Sequence, residues 1–151
     1  MKTLDDSKTI EVNTQLETGL NKEREEWNEK IIELVNMMKD NRKLSESQVF
    51  QLSYRQQVQE RIAKSKILVE KKQGELDKQT VSRYRDYMLN YDIRLNDKEK
   101  SAFVSADCTA LKQQVNMMRT QINFFEECVK TLDNFGFAVR NKIEIISQQL
   151  A

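Results

Sequence analysis

Residues 104–150 read VSADCTALKQQVNMMRTQINFFEECVKTLDNFGFAVRNKIEIISQQL, and the spacing of their apolar side chains decides the fold class. Val104, Cys108, Leu111, Val115, Met118, Ile122, Phe125, Val129, Leu132, Gly136, Val139, Ile143, Ile146 and Leu150 follow one another in alternating steps of four and three. That is a heptad repeat, and it puts one apolar row on one side of a helix. Ser105 is a suitable N-cap and Asp107 adds negative charge to the first turn, so the spacing predicts a helix over 105–150. Gly136 is the weak rung and predicts a break within Asn134–Phe137. Met117, Phe124 and Phe137 widen the apolar face beyond a two-stranded seam. A helix this long cannot cover such a face by itself. It must pack on helices from the rest of the chain, on other copies, or on both. Self-association is expected through Leu111, Val115, Met118, Ile122, Phe125, Val129, Leu132, Phe137, Val139 and Ile143.

Working outward, the same periodicity continues with more interruptions. Val12, Leu16, Leu20, Trp27, Ile31, Leu34 and Met38 share a face, which predicts a helix over 12–40. Residues 1–11 are polar enough to be flexible. Ser45 followed by Gln48 is a capping-box pattern that opens a helix over 45–90. Its seam is Val58, Ile62, Val69 and Leu76, with Ser65 and Gln73 filling in weakly, and Gly74 predicts a bend. Residues 91–104 read as a connector. Tyr91–Leu95 alternates as a short β-ribbon does, and Asn96-Asp97-Lys98 reads as a turn. The expected architecture is all-α: one helical domain over 1–151 whose long helices build an oligomeric assembly.

Composition agrees. The 151 residues include no Pro and three Gly, with 38% hydrophobic and 32% charged residues, which suits helices with one apolar stripe. No apolar run is long enough to span a bilayer and no signal-peptide pattern opens the chain, so a soluble cytoplasmic protein is expected. Twenty residues of helix would hold Cys108 and Cys128 roughly 30 Å apart, too far for a disulfide, so both read as buried apolar groups. The chain has no His, no Gly-rich phosphate loop, no nucleophile elbow and no zinc spacing. A non-enzymatic protein without cofactor or metal is expected.

Charge divides the chain. Residues 1–40 carry a net −4, residues 41–100 a net +5, and residues 101–151 a net 0. The acidic arm reads as a solvated helix, with contact to a basic surface as the alternative. In the basic middle, Lys64, Lys71, Lys78 and Arg85 recur every seven residues. They lie two positions from Ile62, Val69 and Leu76, which turns them roughly 200° away from the seam. Lys72 and Arg83 are near them in sequence, and Tyr84 and Tyr87 follow. A basic row can neutralise backbone phosphates, and tyrosines can stack on unpaired bases. Lys64, Lys71, Lys72, Lys78, Arg83, Tyr84, Arg85 and Tyr87 are therefore the candidate DNA-binding residues. Without a base-reading motif, such binding would be independent of sequence.

Three short stretches carry a resemblance: RYRDY at 83–87, KEKSAFVSAD at 98–107 and NFGFAVRNKI at 134–143. In this order before a heptad helix, they resemble the UvsY family of phage recombination mediators over residues 82–145. The resemblance implies a ring-like homo-oligomer that binds single-stranded DNA. Such a protein loads a RecA-like recombinase in place of single-strand-binding protein, within the host cytoplasm. It also implies that Arg83 and Arg85 match basic positions of the family's DNA-contacting stretch, although Ser82 stands where that family has a lysine. The alternative is a coiled-coil scaffold without nucleic-acid binding. It would leave the basic row as a wet surface and pack Tyr84 and Tyr87 inside.

Overall fold

The computed structural model describes residues 4–89 and 94–150, with residues 4–6 described by backbone alone. Four α-helices make up almost all of it: α1 (Leu4–Met38), α2 (Leu44–Leu89), α3 (Asp97–Asp107) and α4 (Thr109–Leu150). A 3-10 turn, Asn41–Lys43, separates α1 from α2. There is no strand among the described residues. Residues 97–104, expected in a connector or β-ribbon, are helical; residues 91–93 of that expectation lie outside the described residues.

The helix boundaries differ from expectation for identifiable reasons. α1 begins at Leu4, so the polar stretch expected to be flexible is helical from that residue on. Asp40, not Ser45, caps the restart of the chain. Its carboxylate accepts from the Arg42 backbone N–H at 3.0 Å, and α2 is under way at Leu44 before Ser45 is reached. The Arg42 side chain and backbone N–H also hold the Asp40 carboxyl below the usual carboxylate range. Ser105 lies inside α3, whose N-cap is Asn96. Asn96 Oδ1 accepts from the Glu99 N–H at 2.8 Å, in the asparagine-x-x-glutamate pattern of a capping box. Neither Gly74 nor Gly136 breaks its helix.

The chain forms two compact units, and α1, α2 and α4 each contribute to both. The first unit comprises residues 1–19 and 66–120. Its core is Val69, Leu76, Leu95, Val104, Cys108 and Val115. Buried Asn13 donates to the Ala110 carbonyl at 3.1 Å and to Gln113 at 3.2 Å, and accepts from Gln114 at 2.7 Å. Those bonds satisfy its buried amide.

The second unit comprises residues 20–65 and 121–151. Phe125, Leu34, Leu132, Val58 and Val139 are fully enclosed there. Trp27 meets Tyr54 edge-on at 5.8 Å, and the Lys30 ammonium lies 4.3 Å from the Trp27 ring. Arg61 forks onto Glu23 at 2.6 and 3.1 Å, and Arg55 meets Asp133 at 2.6 Å. Lys142 donates to the carbonyl of Met38, the last residue of α1, where helix carbonyls lack partners of their own.

Gly136 has a packing reason. A Cβ built there would lie 3.1 Å from Nε2 of Gln51, a buried side chain that donates to the Leu132 carbonyl at 3.0 Å. The glycine lets a polar side chain of α2 reach the backbone of α4. The weak rung of the ladder is an approach point between helices.

Candidate nucleic-acid interface

The basic row is carried by the regular geometry of α2. Val58, Ile62 and Ser65 are buried in the second unit, and Val69 and Leu76 in the first. At 100° per residue, Lys71, Lys78 and Arg85 lie roughly 180–220° round the helix from Leu76. All three are exposed. The first unit thus presents three cations within about 40° of one another, spaced along roughly 21 Å of helix. None makes a hydrogen bond or ion pair with another described residue, so these positive charges face solvent.

The remaining candidates separate from that row. Lys64 is exposed but belongs to the second unit, where it borders a depression of about 230 Å³ with Trp27, Gln57, Glu60 and Arg61. Lys72 is half-buried and bonds Glu75 at 3.3 Å, so its charge is met locally. Arg83 comes seven residues after Leu76 and therefore returns to the seam side. It borders an open cleft of about 1030 Å³ in the first unit with Asn13, Glu17, Gln79, Asp107 and Gln114. Proximity in sequence had grouped Lys72 and Arg83 with the row; helical phase separates them from it.

Tyr87 is half-buried, stacks on Phe103 with centroids 5.6 Å apart, and donates its hydroxyl to Asp107 at 2.6 Å. Tyr84 is half-buried. Phe103 takes one face of the Tyr87 ring.

The residues expected to join copies of the chain are largely occupied within it. Val115 is buried in the first unit, and Ile122, Phe125, Leu132 and Val139 in the second. Leu111, Met118, Val129 and Ile143 are half-buried. Phe137 is 58% exposed, under the Arg140 guanidinium at 4.7 Å. Both cysteines are free and buried. Burial, with a smaller effect from Glu127, pushes the Cys128 thiol up to about 11.

Sequence reading passed over the apolar residues beside the basic row. Ile67, Val81 and Met88 are 65%, 60% and 66% exposed. With Gly74 they recur every seven residues, a signal present in the sequence but interleaved with the more conspicuous cations. Among the described residues no group of three or more His, Cys, Asp or Glu could hold a metal ion, and no helix is long and apolar enough to cross a membrane. No protein-family model, curated protein or solved structure matches the chain.

Proposed function

We propose that this protein binds the backbone of single-stranded DNA through Lys71, Lys78 and Arg85. In this reading it acts as a UvsY-like recombination mediator, helping a RecA-like recombinase replace single-strand-binding protein. The observation that carries the reading is the exposed basic row on the outer side of α2, which has no partner among the described residues. Such a row neutralises phosphates without reading bases. Repeating it around a homo-oligomeric ring multiplies a weak contact into useful avidity. The order of the three family-like stretches adds the recombination context.

A second reading has its own observation. Tyr87 is tied to Phe103 and Asp107, and Tyr84 is half-buried, as expected of a helical scaffold whose tyrosines pack within the chain. Fluorescence anisotropy of a labelled single-stranded oligonucleotide, titrated at low and physiological salt, separates the two. The mediator reading expects binding whose salt slope falls by roughly 2 in Lys71→Ala/Lys78→Ala/Arg85→Ala, at about 0.7 per lost phosphate contact. Arg83→Ala, on the other side of the helix, is expected to change it far less. No binding at low salt sinks the mediator and leaves the scaffold.

A further inference from the structure

The most regular unpartnered surface of the first unit is on α2, not on α4. Ile67, Gly74, Val81 and Met88 form an exposed heptad row about 30 Å long. Gly74 weakens a helix interior relative to alanine, yet a Cβ built there meets nothing within 4 Å. Packing inside the chain therefore does not require it, in contrast to Gly136 against Gln51. A glycine in the middle of an exposed apolar row does suit close approach by another backbone.

The edges of the row identify what approaches. Lys71, Lys78 and Arg85 follow the row at four-residue steps, roughly 40° to one side. Glu70, Asp77 and Tyr84 follow it at three-residue steps, roughly 60° to the other side. A strip with three cations on one edge and two carboxylates and a tyrosine on the other does not match a uniformly anionic surface across its width. It matches itself. When two such helices run parallel about a two-fold axis, the basic edge of each faces the acidic edge of the other. When they run antiparallel, like edges meet.

We propose that this face of α2 joins two copies of the chain as a parallel, isologous helix pair. Ile67, Gly74, Val81 and Met88 meet their own counterparts along the axis. Glu70 faces Lys71 of the second copy, and Asp77 faces its Lys78. Arg85 of each copy lies over the Tyr84 ring of the other, a cation–π arrangement. Each pair occurs twice, as a two-fold interface requires. The inference does not rest on the nucleic-acid reading, because association is measured without nucleic acid. If both hold, Lys71, Lys78 and Arg85 serve both surfaces, and pairing competes with DNA.

Sedimentation velocity of the full chain over a concentration series tests it. Val81→Glu is expected to weaken association at least tenfold while leaving the helical circular dichroism and the melting of the dilute monomer unchanged, since Val81 is exposed. Gly74→Gln should raise the melting temperature of the dilute monomer yet weaken association, opposite movements that a purely internal role cannot produce. Lys71→Glu/Lys78→Glu should weaken association, and adding Glu70→Lys/Asp77→Lys should restore it. Mild oxidation should link Val81→Cys into a covalent dimer, while Ile67→Cys mixed with Met88→Cys should give no mixed dimer. A chain that stays monomeric at every concentration overturns the proposal. So does association indifferent to Val81→Glu, or an Ile67–Met88 cross-link, whatever the DNA titration shows.

Discussion

The two units are built from stretches of the same three long helices, yet their interiors differ in kind. The second encloses Trp27, Leu34, Phe125, Leu132 and Phe135, and fixes α2 against α4 with Gln51 and Arg55. The first encloses Val69, Leu76, Leu95, Val104, Cys108 and Val115, with no aromatic side chain among its buried described residues. Stabilisation by apolar burial scales with area, so the second unit holds its helices together more strongly. The first exposes Ile67, Val81 and Met88 beside its cations. The second also leaves apolar side chains in water, Val49 and Leu52 among them, so the contrast between the units lies in their interiors.

The sharpest way to break this contrast is to hollow out each core. Phe125→Ala is expected to cost about 3–5 kcal/mol in chemical denaturation, because the ring is wholly enclosed. Val115→Ala in the first unit should cost about 2 kcal/mol, from two methyl groups at about 0.8 kcal/mol each. Equal losses would remove the distinction. Native-state hydrogen exchange should agree, with amides at 122–139 better protected than those at 66–89.

The glycines give a smaller effect of opposite sign. Gly136→Ala should destabilise by about 1 kcal/mol, because the new methyl displaces Gln51 from the Leu132 carbonyl and outweighs the better helix propensity. Gly74→Ala should stabilise the isolated chain by about 1 kcal/mol, since its methyl enters open space. Denaturation midpoints moving in the same direction would contradict the packing assigned to Gly136.

The smallest effect concerns Cys128. Its thiol is raised from 9.0 to about 11 in the folded chain, so the folded state holds the proton more tightly. The associated stability is present below pH 9 and declines as pH rises towards 11. Cys128→Ala should flatten that part of the pH profile, and alkylation of Cys128 at neutral pH should be slow.

Much of this organisation was legible before folding. The α2 seam at Val58, Ile62, Ser65, Val69 and Leu76 and most of the ladder from Val104 to Val139 are buried where their periodicity placed them. The starts of helices were less legible, because Asn96 and Ser105 are both good caps and only the backbone geometry chooses between them. The candidate site was legible only in part. Seven-residue spacing picks out Lys64 together with Lys71, Lys78 and Arg85, all of them exposed on α2, whereas Arg83 returns to the phase of Leu76 and leaves the row.

By itself, the sequence determined that the chain is helical, which residues share a face, and which cations share the outer side of α2. These follow from a repeat of 3.6 residues and from the absence of proline. Only the tertiary structure decided that the α4 ladder is largely covered within the chain, that Tyr87 is held by Phe103 and Asp107, and that Gly136 admits Gln51. Periodicity identifies an apolar face but not its occupant, because a helix from the same chain and one from another copy satisfy the same pattern.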